Sequence, residues 1–301
     1  MEALLQQYVD IYVLQIMVLI GINIILALGL NLITGVTGQL SMGHAGFMSI
    51  GAYTSAILAV NFGMPFWFCL LAAGLMAALT GVIIGIPTLR LEGDYLAMVT
   101  IGFAEIVRVV FLNLDIAGRG LGISGIPGNT NFTLVWVLVI VIVLLNTGLL
   151  KSRPGRALYS IREDEIAAEA SGVNTTLYKV VAFAIGTFLA GIGGSLYAHY
   201  LTYISPQDFG FMKSVEYLNM VVLGGMGSIP GTILGTVILT MAPEVLRFVA
   251  DYRLLFYGGL LVTLMIFRPN GLLGDVRWVD VKHTWARLRG RIPTPSNSSD
   301  G

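Results

Sequence analysis

KSRPGRALYSIREDEIAAEASGVNTTLY, residues 151–178, is a polar interval in the middle of an otherwise oily chain. It decides the fold because it follows an apolar run ending at Leu150 and opens with Lys151, Arg153 and Arg156. Positive charge flanking a membrane span marks the cytoplasmic side, so the interval is placed inside the cell. Ser160 with Glu163 three residues on fits a capping box, and Gly172 suits the stop position of the same helix. Glu163, Asp164 and Glu165 then fall in the first turn, where carboxylates favour the positive end of the helix dipole. The expectation is one short capped helix over 160–172, held beneath the membrane. A connection this long between two spans points to the docking of a soluble partner.

The rest of the composition agrees with a membrane protein. Hydrophobic residues make up 56% of the 301 and charged ones 11%, with mean hydropathy +0.83. A soluble domain carries roughly twice that charged fraction. The formal net charge is zero, which argues against nucleic acid as a partner. The one cysteine, Cys69, excludes an intrachain disulfide. Residues 1–10 hold Glu2 and Asp10 and no basic side chain, unlike a cleavable signal peptide.

Outward from the interval, apolar segments fall at 11–33, 47–62, 65–86, 95–113 and 132–150 before it. Others fall at 179–203, 215–227, 229–249 and 254–267 after it. The fold class is therefore an all-α, polytopic integral membrane protein with roughly eight to ten segments, broken or re-entrant helices among them. An even number of segments separates the interval from the basic tail (Arg277, Lys282, Arg287, Arg289, Arg291), so both are cytoplasmic. An odd number precedes it, so the amino terminus is outside. Residues 1–275 make the membrane unit, with 151–178 as its cytoplasmic loop. Residues 276–301 form a tail whose end, PTPSNSSDG, reads as disordered.

Two stretches are too rich in glycine for a lipid-facing helix: TGVTGQLSMGHAG at 34–46 and GGMGSIPG at 224–231. Each follows an apolar helix that contains Leu-Asn, at Leu30-Asn31 and at Leu218-Asn219. Broken helices at matching positions in two halves point to a transport pathway. Small residues at Ala72, Ala73, Gly74, Ala77, Ala78 and Gly81 suit close helix packing. Glu105 and Arg108 stand three apart on one helix face, close enough to pair. They either line the pathway or form a structural pair. Trp67, Trp136 and Tyr252 read as interface anchors.

Enzymatic signatures are absent. There is no GxxxxGK[ST] phosphate loop, and His44, His199 and His283 stand in no cluster with metal-ligand spacing. Two alternatives remain in the residues: an ion-driven secondary transporter using Glu105, and an intramembrane hydrolase using Ser228 with His199.

Several long stretches together resemble the M-type permease subunit of branched-chain amino acid ATP-binding-cassette importers. They are LNLITGVTGQLSMGHAGFMSIGAY from Leu30, LAMVTIGFAEIVR from Leu96, GRGLGISGIP from Gly118, the run GRALYSIREDEIAAEASGVNTTLYKVVAFAIGTFLAGIGGSLYA from Gly155, VVLGGMGSIPG from Val221 and FRPNGLLG from Phe267. The likeness runs over nearly all of 11–275. It implies a bacterial or archaeal inner-membrane subunit working by alternating access, without a cofactor of its own. It also implies partners: a sister permease of the H type, two ATP-binding subunits that use ATP and Mg, and a periplasmic substrate-binding protein. The coupling helix of that family corresponds to 160–172, with Ser160, Glu163, Glu169, Ala170 and Gly172 at the ATPase contact. The acidic run 163–165 departs from the basic or polar residues expected there. The resemblance and the breaks together assign Gly38, Gln39, Ser41, Gly43, His44, Glu105, Arg108, Gly224, Gly227 and Ser228 to the pathway, as expectations.

Overall fold

A computed structural model describes residues 11–88, 91, 93–245, 258–259 and 271–273. Arg90, Tyr252, the amino-terminal ten residues, most of the segment 254–267 and the basic tail lie outside the described residues. Within them the chain is helical, and the fold class read from the sequence holds. The helices are α1 (Ile11–Leu30), α2 (His44–Asn61), α3 (Phe66–Thr88), α4 (Asp94–Asn113), α5 (Phe132–Lys151), α6 (Arg153–Glu163), α7 (Glu165–Ala170), α8 (Thr175–Leu201), α9 (Phe211–Gly224) and α10 (Ile229–Val245). Tyr12–Val36, Phe66–Thr88, Asp94–Asn113, Phe132–Lys151 and Thr175–Leu201 are each long and apolar enough to cross a membrane. Ile229–Glu244 is apolar but shorter.

The first of these spans is the hub: 83% of an 18-residue apolar stretch of it is buried, against 22% for that of Phe132–Lys151. Beside it, α2 and α3 approach α8 so closely that side chains are excluded. A Cβ on Gly51 would overlap the Gly191 backbone, and one on Gly191 would overlap the Ala73 carbonyl. Gly194 lies on the Met48 carbonyl, and Gly29 and Gly186 face each other's carbonyls across α1 and α8. Lipid offers no hydrophobic drive between helices, so such small-residue seams supply the packing. The small face foreseen on the third segment is one of them: Ala73, Gly74, Ala77 and Gly81 are buried while Leu71, Leu75, Leu79 and Ile83 point outward.

At the end of α8 away from the polar interval, Ile123–Ser124 pairs antiparallel with Tyr203–Ile204 and closes the GRGLGISGIP loop over the bundle. Next to it, His199 is held between Ser55 Oγ at 2.9 Å and the Pro127 carbonyl at 2.7 Å. Ser228 sits elsewhere, at the start of α10, where its Oγ accepts from Gly231 N at 3.2 Å. The structure brings no Ser228–His199 dyad together.

The polar interval differs from its reading. It folds as two helices with a sharp turn, not one helix over 160–172. Ser152 caps α6 by accepting from Gly155 N, with Pro154 in the first turn. Asp164, in extended conformation, ends α6 and caps α7 through Ala167 N at 3.0 Å. Ser160 is therefore inside α6, its Oγ donating to the Ala157 carbonyl, and Glu163 is the last residue of α6, not in a first turn. The Ser-x-x-Glu pattern lost to a stronger start eight residues upstream, where serine and proline act together. Gly172 does stop the second helix, with φ +85°.

Candidate functional site

The first break is narrower and deeper than the sequence implied. From Leu30, α1 widens into a π-helix, Asn31–Val36. Gly38 then turns the chain with φ +74°, and α2 begins at His44. Only 37–43 is non-helical. Its far end is tucked back along α1: His44 Nε2 lies 2.9 Å from the Leu26 carbonyl. The buried start of α2 is served by side chains of other helices. Met42 N donates to Thr100 Oγ1 at 3.1 Å, and Ala45 N donates to Ser214 Oγ at 3.0 Å. This satisfies backbone donors that could not otherwise sit in a membrane protein's interior.

Side chains in the same stretch are not satisfied. Thr34 Oγ1, both amide atoms of Gln39, Ser41 Oγ and His44 Nδ1 are buried without a hydrogen-bond partner. Among the described residues, the other such atoms are Tyr53 OH and Trp136 Nε1 alone. A buried polar group without a partner costs about 1–3 kcal/mol, so this concentration calls for something polar to meet it. Gln39 lines a cleft of about 410 Å³ bounded by the α3–α4 turn (Leu91, Gly93), the end of α6 and the start of α7.

The second break is a tight reversal. Gly225 and Gly227 take φ +111° and +87°, and α9 and α10 close on each other with Gly224 against the Gly231 backbone. It is pinned from three directions. Asn31 Oδ1 of the first break accepts from Gly227 N at 2.8 Å. Leu272 N and Leu273 N donate to the Leu223 and Gly224 carbonyls at 2.8 and 3.1 Å, so residues 271–273 lie against the end of α9. From α6, Tyr159 OH donates to the Gly227 carbonyl at 3.4 Å, and Arg162 Nη1 donates to the Met226 carbonyl at 3.3 Å and to the Gly35 carbonyl.

The two glycine-rich breaks singled out in the sequence thus meet, and a helix of the polar interval touches both. Gly38, Gln39, Gly227 and Ser228 belong to this junction. Gly43 is pressed on the Thr100 backbone one step further in, and Gly224 is buried at the α9–α10 contact. Asn31, Tyr159, Arg162, Thr100 and Ser214 were not singled out as site residues. Asn31 had a signal, since it ends the Leu-Asn pair shared by the two halves. Arg162 had a weaker one, as the lone cation between Ile161 and the acidic run.

Glu105 and Arg108 pair as foreseen, Nε to Oε2 at 2.8 Å, with side chains roughly a third exposed. Removing one partner strands the other charge at membrane depth. Glu105→Ala should therefore lower the yield of folded chain, whereas Glu105→Arg with Arg108→Glu restores it. The monodisperse fraction on size exclusion in mild detergent measures both. A further pair, Lys179 with Glu165, joins α7 to α8, and Lys179 is 8% exposed. In α7, Ile166 is 82% exposed, and Glu169 and Ala170 are exposed beside it.

Comparison with known proteins follows the same lines. Residues 12–265 match the family model described as branched-chain amino acid transport system / permease component. The high-affinity branched-chain amino acid transport system permease protein LivM of Escherichia coli is 41% identical over 266 residues, covering 77% of this chain and 63% of that protein. The chain thus spans about two thirds or less of the length of this relative. The LivH permease of the same organism is 32% identical over 143 residues, 46% of each chain. A probable branched-chain amino acid transport permease of Methanocaldococcus jannaschii is 25% identical over 236 residues, 68% of each. No solved structure matches.

Proposed function

The chain belongs to the family of permease components of branched-chain amino acid transport systems, and from that premise we propose that it is one membrane subunit of an ATP-driven importer of branched-chain or related neutral amino acids. Its partners are a sister permease of the H type, two ATP-binding subunits that use ATP and Mg, and a periplasmic binding protein. The polar interval 151–178 and the tail face the cytoplasm, and the amino terminus lies outside.

The observation that carries the reading is the row of unpartnered polar atoms from Thr34 to His44 beside two broken helices. A zwitterion needs donors and acceptors to replace its water, and a broken helix offers them at membrane depth. Gln39, Ser41 and His44 supply such groups, and Gly38, Gly43, Gly224 and Gly227 let backbone come close. Ser228 holds the second break in shape. Glu105 and Arg108 keep α4 in place and do not touch the solute.

Coupling enters through α6 and α7. Ser160 and Glu163 lie on α6, Glu169, Ala170 and Gly172 at the end of α7, and the exposed Ile166 gives that end an apolar knob for a groove in the ATPase. With a tag joined at Ala3, both ATPases should co-purify with the chain. Ile166→Asp should reduce the recovered ATPase at least about tenfold, as for a central apolar anchor. Unchanged recovery would remove α7 from the contact, and no ATPase with the unaltered chain would remove the importer reading.

A further inference from the structure

We propose that Arg162 is the tie through which movement of the cytoplasmic helices reaches the pathway: one guanidinium nitrogen holds the carbonyls of both broken helices, and its release lets them part. The inference rests on the importer reading and deepens it.

Nη1 carries two hydrogens, and the structure gives each an acceptor. One is the Gly35 carbonyl at the end of the first break's π-helix, and the other is the Met226 carbonyl in the second break. The arm is fitted along its length. A Cβ on Gly38 would lie 3.3 Å from Arg162 Cγ, and one on Gly227 would lie 2.6 Å from Nη1. Both breaks therefore lack side chains where the arginine passes. Gly38 and Gly227 hold positive φ there as well.

Arg162 stands two residues before Asp164, the extended residue that joins α6 to α7. Any force on α7 is felt at this joint first. Hydrogen bonds weaken steeply with a shift of about 1 Å, so a small tilt of α6 breaks both bonds together. The carbonyls then lose their shared donor, while α1 and α9 stay anchored by their own packing. Asn31 Oδ1 also accepts from Gly227 N across the breaks, a bond that does not involve α6. Thus the cytoplasmic helices act on the breaks through the arginine, with Tyr159 OH as a lesser contact.

The test uses the assembled importer in vesicles, with its ATPases and binding protein, and reads ATP hydrolysed per leucine taken up. Arg162→Ala should raise this ratio at least about fivefold, because hydrolysis continues while the stroke is lost. Arg162→Lys, which keeps the charge on a shorter arm, should shift it in the same direction by less and serves where the alanine variant assembles poorly. A purely structural role would lower both rates together and leave the ratio unchanged, which overturns the proposal. A second readout needs no ATPase. In a Cys69→Ala background, Ser41→Cys is 1% exposed at the native serine and should react slowly with a cytoplasmic maleimide. Adding Arg162→Ala should speed labelling at least about fivefold. Equal rates overturn the tie even if the ATPase partners prove to be absent, in which case the importer reading fails separately.

Discussion

Gly227→Val is expected to abolish uptake while the chain still inserts in the membrane. The residue holds φ +87°, a conformation that a β-branched side chain rarely adopts. Strain of this kind costs about 1–3 kcal/mol, up to roughly a hundredfold in the population of the native arrangement. The added atoms also enter the space of Arg162 Nη1, 2.6 Å from the first of them. Gly43→Val should act through sterics alone. Its φ of −102° is ordinary, but its Cβ would overlap the Thr100 carbonyl. Leucine uptake in vesicles, normalised to reconstituted chain, measures both. Normal uptake in both variants would refute the assignment of the breaks to the pathway.

The second large effect belongs to the bundle and not to the pathway. Gly191→Leu should leave little folded chain at all. The position faces the Ala73 carbonyl and the Ala77 methyl, and Gly51 of α2 packs against its backbone from the other side. Overpacking a tight site costs about 1–3 kcal/mol where neighbours can shift, and more where they are backbone. The expected result is loss of the monodisperse peak on size exclusion in mild detergent. A variant that elutes and transports normally would show that the α2–α3–α8 seam is looser than described.

The membrane class and the helix positions were legible because hydropathy responds to span length, and lipid leaves few other options for such segments. Four of the expected segments, from 65, 95, 132 and 179, begin within four residues of the observed helices at Phe66, Asp94, Phe132 and Thr175. The glycine-rich breaks were legible for a related reason: TGVTGQLSMG and GGMGSIPG lack the side chains that a lipid-facing helix needs. Their meeting was not, because Asn31 and Gly227 come together only through the packing of the helices that carry them. The π-helix at Asn31–Val36 left no mark either, since NLITGV has no proline or unusual spacing to signal a wider turn. In the polar interval the cations were read for topology alone. That hid what Arg162 does, because a cation bonded to two carbonyls looks in sequence like any other flanking charge. The capping pattern at Ser160 misled because Ser152 and Asp164 offered the backbone better alternatives.

The deep burial of the first hub helix bears on how the protein is made. That segment leaves the ribosome before every other described helix, yet most of the surface that covers it comes from helices beginning at Thr175, Phe211 and Ile229. Until those are translated, Asn23 and Asn31 lack the partners that Thr240 and Gly227 give their side chains. Asn23 meets Thr240 only in the finished bundle. The helix is therefore expected to be held at the insertion machinery until nearly the whole chain has been synthesised. Truncation after Lys151 should yield a nascent chain that is degraded rather than a stable half.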